Sequence, residues 1–464
     1  MRQKQHTATQ LYSSDSSQAA QRQAFTGGEI PVAVYGLGKM GLPLATVFAT
    51  VTNNVTGVDI DPTVIEQLQA GDCPVQGEPG LDEAVEQLVA ADNLDATTDS
   101  TTAATDARVH VVIVPTLITD SDEPDLSALD SVVSDIASGL TPGDMVILES
   151  TVPPGTCRDI VGPALADRSG LDQSEFGLAF CPERTASGRA LRDIRGAYPK
   201  VVGGKDAEST RVSDMIYSEI TSNEVVPVGD CTTAECVKLF EGLYRDVNIA
   251  LANELARLAN ELSIDVNEAI EAASMPEYCD IHSPGPGVGG HCIPYYPHFV
   301  MSNTETETPL LRQARDVNEE MPAHTVELLE QRLAEQGIDL EEATVGLLGI
   351  TYRAGVDETR AAPSFPIASM LSAAGSTVYA ADPVCSDASG LAAERIETDE
   401  LSTVGFDAAV VVTAHEQFES IDWNEIDECI ILDGRRVIED ELPHPVYTLG
   451  DGTDQPTTVP ETDQ

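Results

Sequence analysis

Apolar positions along this chain recur with two different periods, and the change between them marks out regions. PVAVY at 31–35, VTGVDI at 55–60, VHVVIVP at 109–115, MVILES at 145–150 and LAFCP at 178–182 are short, nearly unbroken apolar runs bounded by glycine or polar residues. Such runs suit strands buried on both faces of a parallel sheet. From Thr232 the period lengthens: TTAECVKLFEGLYRDVNIALANELARLANELSIDVNEAIEAA carries apolar residues every three to four positions, which predicts a long helical spine. A further helical stretch after Thr308 leads through VNEEMPAHTVELLEQRLAEQ into TVGLLGI, STVYAADP, AAVVVTA and CIILDG, four strands of a second sheet. The expected boundaries are a loose tail at 1–28, a sheet domain at 29–230, a helical domain at 231–325, a second sheet domain at 326–450 and a flexible tail at 451–464.

A length of 464 residues supports such a multidomain chain. Its 25 Lys plus Arg, only five of them Lys, stand against 78 Asp plus Glu, a formal charge of -53. That surface resembles one adapted to a salt-rich interior, where mobile cations screen repulsion. It also argues against nucleic acid, whose phosphates require basic partners. Without an 18-residue apolar run or an apolar leader, the chain is expected to be cytoplasmic, with no membrane partner. Nine scattered cysteines do not form a secreted disulfide framework.

The first glycine turn carries the clearest chemistry. Gly36, Leu37, Gly38, Lys39, Met40 and Gly41 follow PVAVY and open a helix, and Asp59 ends the next strand. Gly36 permits the tight turn, Gly38 lets the backbone approach a pyrophosphate, and Gly41 allows close helix packing, while the helix start offers unpaired N–H groups. Asp59 can accept from ribose hydroxyls and would repel a 2′-phosphate, so the expected cofactor is NAD. With this turn in place the reading is an α/β fold: two Rossmann-like sheet domains joined by a long-helix central domain.

SPGPGVGGHCIPYYPHF places Gly285, Gly287, Gly289 and Gly290 directly before His291 and Cys292. Glycines and prolines of this density suit a shaped loop, and a thiolate there can add to a carbonyl carbon and leave again after acyl transfer. A packed, inert cysteine is the alternative at this point. Cys279, His282, His291 and Cys292 also raise a zinc site, but adjacent His291 and Cys292 complete no ligand pattern, and no metal is expected.

Taken in order, GLGKMGLPLA at 36, VPT at 114, ESTVPPGT at 149, CPERTASG at 181, AECVKLFE at 234, PGPGVGGHCIP at 284, VNEEMP at 317 and TYRAGVDETRAAP at 351 resemble the UDP-glucose/GDP-mannose dehydrogenase family. The resemblance runs from Val32 to about Leu449, and CPER with YRDVNIALANEL is most similar to the branch acting on UDP-N-acetylmannosamine. UDP-glucose and UDP-N-acetylglucosamine are the alternative donors. The resemblance implies NAD-dependent four-electron oxidation of a sugar C6 alcohol to a uronate through a cysteine thiohemiacetal and thioester, within nucleotide-sugar metabolism that feeds polysaccharide biosynthesis. It implies Cys292 as nucleophile, Lys238 as the cation near the reacting oxygen and Glu183 in water and proton handling. Thr116, Glu149 and Thr151 are implied around the nicotinamide. Arg184, Arg245, Asn248, Gly289, Arg353 and Arg360 are implied as substrate contacts, and the spine as a homodimer core.

Two positions depart from that family's pattern. Gly242 stands four residues after Lys238, where many members have Asn, and Tyr296 four after Cys292, where many have Asp. Gly inside a helix costs about 1 kcal/mol relative to Ala, so close packing or substrate room is expected to explain it. The pair also motivates a non-enzymatic alternative, a sugar-nucleotide-binding regulator that kept the pocket and lost the chemistry.

Overall fold

A computed structural model describes residues 10–119, 121–438 and 442–453. Two compact units emerge, one holding the described residues up to Phe240 with His298–Glu305, the other Glu241–Pro297 and the described residues from Thr306 onward.

In the first unit β1 (Val32–Tyr35), β2 (Val55–Val58), β3 (Leu94–Thr97) and β4 (Val109–Val112) precede a small antiparallel pair, β5 (Leu117–Ile118) with β6 (Pro124–Asp125). Next come β7 (Met145–Leu148), β8 (Gly177–Phe180), β9 (Lys200–Gly204) and β10 (Val225–Pro227). The large sheet has the order β10-β9-β8-β7-β4-β1-β2-β3, parallel except where β9 runs against β8. Val32 lies opposite Val55 on one side and Val109 on the other, so β1 sits where the strand order reverses, the place at which such sheets bind ligands.

Alternation within β1 explains its unbroken apolar run. Val32 and Val34 pack with Leu42 and Phe48 of the helix Gly41–Thr52, whereas Ala33 and Tyr35 face Leu129, Val133 and Ile136 of the helix Ser127–Gly139. Each large side chain buried there stabilises the unit by roughly 1.5–3 kcal/mol relative to exposure.

The N-terminal region differs from the expected loose tail. Ser17 caps a helix at Gln18–Thr26, accepting from the Ala20 amide, and Leu11, Tyr12 and Phe25 are buried. Gln21 Nε2 donates to the Leu11 carbonyl at 2.8 Å and Tyr12 donates to Asp206 at 2.8 Å. A nine-residue helix burying Gln21, Ala24 and Phe25 is too short to set up a sustained period, which is why the pattern missed it. Residues 1–9 lie outside the described residues.

The second unit contains most of the helix Cys231–Arg257, the helices Val266–Ala273 and Pro309–Glu335, and a six-stranded sheet. Its strands are β11 (Thr344–Leu348), β12 (Thr377–Ala381), β13 (Glu394–Arg395), β14 (Ala408–Val411), β15 (Ile430–Asp433) and β16 (Val446–Thr448). They lie in the parallel order β13-β12-β11-β14-β15-β16. Val345 and Leu347 pack with Leu329, Leu333, Ile367 and Leu371, while Leu348 and Val411 face Phe406, Phe418 and Trp423. Both sheets and the central helices agree with the α/β architecture read from the pattern. Within the stretch expected as a tail from residue 451, Asp451 bridges to Asp265, and the Gly452 amide donates to the Ile264 carbonyl at 3.0 Å. Residues 454–464 lie outside the described residues. No helix among the described residues is long and apolar enough to cross a membrane.

Candidate active site

Gly36 follows β1 with φ +96°, and a Cβ on Gly41 would come within 1.9 Å of the Gly36 carbonyl oxygen, so neither position tolerates a side chain. A Cβ on Gly38 would meet nothing within 4 Å, which leaves that backbone open to a phosphate. No side chain caps the helix Gly41–Thr52, whose Leu42 amide donates to the Gly38 carbonyl at 3.1 Å and whose start lies beside the open Gly38 backbone. Asp59 Oδ2 accepts from the Leu37 amide at 2.7 Å and Oδ1 from the Asp61 amide at 3.0 Å. These bonds fix the carboxylate beside the turn, and each oxygen retains a lone pair for a ribose hydroxyl. Lys39 is exposed on the turn, and Met40 Sδ lies 3.0 Å from the Thr185 hydroxyl oxygen. Beyond β4, the Thr116 hydroxyl is buried without a hydrogen-bond partner, an orphan that a bound group can satisfy. The turn, the uncapped helix and this hydroxyl fit a dinucleotide.

Two carboxylates, Glu149 buried and Glu183 half-buried, stand in different states of use. Glu183 Oε2 lies 3.3 Å from Lys238 Nζ, and Oε1 accepts from the Thr185 hydroxyl at 2.6 Å and from the Thr185 amide. Burial pushes the Glu183 carboxyl up, but the Lys238 charge and the Thr185 bonds outweigh it and hold the group below the usual carboxylate range. Glu149 is committed to structure: Oε2 accepts from Lys200 at 2.6 Å and Oε1 from the Tyr217 hydroxyl. Glu149 is thereby held as a buried anchor at the end of β7. Thr151, two residues on, is half-buried. Glu149, Glu183, Arg184, Thr185, Tyr198 and Lys200 line one small cleft, and Arg184 donates to the Pro199 carbonyl. Lys200 was missed in the sequence, where nothing connects it to Glu149 across 51 residues.

In the second unit the glycine segment is fastened from two sides. The Gly285 amide donates to Asn253 at 2.9 Å, Asn253 donates to Asn318 at 2.9 Å, and Asn318 donates to Asp246 at 2.9 Å, where Arg315 also pairs. All four side chains are buried. From the other side, the Gly290 amide donates to the Arg360 carbonyl at 2.8 Å and His291 Nε2 lies 2.9 Å from Glu358. A Cβ on Gly289 would fall 2.7 Å from Tyr352 Cβ, so Gly289 is required by this close approach. Between these fastenings and the next helix stands Cys292, the exposed member of the nine cysteines. His282 packs edge-on against Tyr244.

The expected cations and amide are distributed unevenly. Arg245, Arg353 and Arg360 are exposed. Asn248 is taken up by the chain itself, donating to the Asp280 carbonyl at 2.6 Å and accepting from the His282 amide at 2.8 Å. Asn248 thus fastens residues 280–282. The sequence reading missed Arg435, which stands past β15 with Nε donating to the Val412 carbonyl at 2.8 Å and Nη1 against Gly285. A basic residue at a strand's carboxyl end in so acidic a chain was the available signal.

A fingerprint turn at the switch point of one parallel sheet, with a second parallel sheet behind a glycine-held cysteine, defines a dinucleotide-dependent oxidoreductase. Models of the UDP-glucose/GDP-mannose dehydrogenase family match the chain in three stretches: the NAD binding domain over residues 30–221, the central domain over 232–320 and the UDP binding domain over 346–440. The chain belongs to this family; it is an enzyme, an NAD-dependent oxidoreductase acting on a UDP-sugar. It is 35% identical over 417 residues to a UDP-N-acetyl-D-mannosamine dehydrogenase of Pyrococcus horikoshii, covering 88% of this chain and 96% of that one. An NDP-N-acetyl-D-galactosaminuronic acid dehydrogenase of Ralstonia nicotianae is 32% identical over 413 residues, 87% of this chain and 95% of that one. The solved structure of a UDP-D-ManNAc dehydrogenase from Pyrococcus horikoshii superposes with a TM-score of 0.84 at 33% identity, covering 91% of this chain and all of that one.

Proposed function

We propose that this enzyme oxidises C6 of UDP-N-acetyl-D-mannosamine to the uronate in two successive steps, with Cys292 as the covalent nucleophile. The observation that carries the reading is the exposed Cys292 on a glycine segment fastened at both ends, in a chain with 35% identity to a dehydrogenase named for that donor. NAD, when bound, takes up one hydride in each oxidation. Lys238, held beside Glu183, stabilises negative charge developing on the C6 oxygen as its proton departs. The Cys292 thiolate adds to the aldehyde carbon, loss of the second hydride leaves a thioester, and water displaces the thiolate to release the carboxylate. Glu183, kept ionised by Lys238 and Thr185, accepts the proton of that water. Asp59 and the turn Gly36–Gly41 hold the cofactor, with Thr116 and Thr151 beside the nicotinamide. Arg184, Arg245, Arg353 and Arg360 supply the positive charge that a diphosphate needs, and Gly289 lets the backbone approach the sugar.

The active species is a homodimer. Tyr244 and Leu251 on the helix Cys231–Arg257 and Leu258 just past its end are exposed at seven-residue intervals, an apolar stripe that a second copy would cover. The similarity to an N-acetylgalactosaminuronate-type dehydrogenase supports a second reading, a different acetamido sugar. Purified enzyme in molar salt with a panel of UDP-hexoses decides between them. The expected result is the highest kcat/KM for UDP-N-acetylmannosamine; preference for UDP-glucose or a galacto-configured donor overturns the donor assignment, and binding without NADH production favours a regulator.

A further inference from the structure

Gly242 and Tyr296 form one contact. A Cβ built on Gly242 would lie 2.1 Å from Tyr296 Cδ2 and 3.0 Å from Cγ and Cε2, so the ring rests directly on the helix backbone where a side chain would project. Tyr296 is buried, at 7% exposure. Its amide donates to the Cys292 carbonyl at 2.9 Å, and the Tyr295 amide reaches the same oxygen at 3.1 Å. The cysteine's main chain is therefore tied to the first turn of the helix that Tyr296 opens, and that turn is seated on Gly242. Upstream, the segment is already fastened at Gly285 and Gly290. Cys292 itself stays exposed, and the Tyr296–Gly242 contact fastens its downstream side.

We infer that Gly242 and Tyr296 are a matched pair of positioning residues: the ring, admitted by the missing side chain, holds the Cys292 turn in the place from which the thiol captures the aldehyde. The inference rests on the proposed role of Cys292 and adds the element that keeps it in register. It also accounts for a glycine within a 27-residue helix, a position where alanine raises stability if the space is open. Here the space is filled, so the sign reverses.

The test compares the full-length wild type with Gly242→Ala, Tyr296→Ala, the double variant and Cys292→Ala. NADH per UDP-sugar consumed is measured, hydroxylamine traps escaping aldehyde, and site-resolved mass spectrometry gives the rate of Cys292 alkylation by iodoacetamide. Gly242→Ala is expected to form uronate about tenfold more slowly, to drop NADH per sugar from two toward one as aldehyde escapes, and to alter Cys292 alkylation by at least threefold. First-step NADH formation should stay within about threefold. Tyr296→Ala should show the same leak, and adding Gly242→Ala to it should change nothing beyond twofold, the signature of two residues acting as one. Unchanged uronate yield and alkylation in Gly242→Ala overturn the inference. If that variant does not fold, Tyr296→Ala decides alone: an aldehyde leak supports the pair, and full uronate yield overturns it. Uronate formation by Cys292→Ala would instead overturn the role of the cysteine, a separable outcome.

Discussion

Glu183 owes its lowered pKa in large part to the Lys238 charge beside it. Removing the cation by Lys238→Met leaves the Glu183 carboxylate without its nearest counter-charge, and turnover should fall by about 10²-fold or more, of the order seen when a charge-stabilising donor is lost. The pH dependence has a definite sign. The folded-state value of Glu183 is lowered, so the stability it contributes is present above the unfolded value near 4 and disappears only as pH falls through the folded value. In Lys238→Met the burial effect acts with less opposition, and the acid limb of the residual pH–rate profile should move to higher pH. An acid limb that does not move would remove Glu183 from proton handling. None of this pairing is visible in the sequence, where the two residues are 55 positions apart and only their motif context suggests a shared task.

At the scale of elements, the loop after β11 is organised by one carboxylate. Asp382, at the end of β12, accepts from the Ile350 and Thr351 amides at 2.7 and 2.8 Å, and from His415 at 3.1 Å. Burial pushes its carboxyl up, but His415 and the backbone amides override this and hold it far below the usual range. Asp382→Asn should cost about 2–4 kcal/mol at neutral pH and slacken the segment that carries Arg353 and Arg360. Because the folded value is depressed, that deficit should shrink as pH falls below about 4; thermal melts of both proteins across pH check it, and a deficit independent of pH would contradict the ionised pairing. Strands and long helices were legible from apolar period, because burial on both faces of a sheet or along one stripe of a helix imposes it. The helix at Gln18–Thr26 was not, being too short to set up a sustained period, nor was the polar chain from Arg315 to Gly285, which joins residues distant in sequence. The glycine turn was readable as a whole, for its geometry is local; the partners of Glu149 and Asn248, Lys200 and the 280–282 backbone, were not, because they are set by the fold.

At the scale of the whole molecule, a formal charge of -53 opposes compaction unless counter-ions screen it. Raising KCl from about 0.2 to 3 M should raise Tm by roughly 5–10 °C, and a Tm independent of salt would contradict adaptation to a saline interior. The proposed dimer makes a second expectation. Leu251→Asp with Leu258→Asp should yield a monomer by sedimentation at micromolar concentration, while a wild-type monomer would refute the interface. The stripe could be read from the sequence only as part of an amphipathic helix; that it stays exposed required the fold.

The central claim is that one thiol links two oxidations on one UDP-sugar. The most direct measurement is the stoichiometry of NADH to uronate in single-donor reactions of the wild type and Cys292→Ala in molar salt. Two NADH per uronate with the wild type, and no uronate with Cys292→Ala, is the predicted result. Uronate produced at the wild-type rate by Cys292→Ala, or a wild type that stops after one NADH, would contradict it.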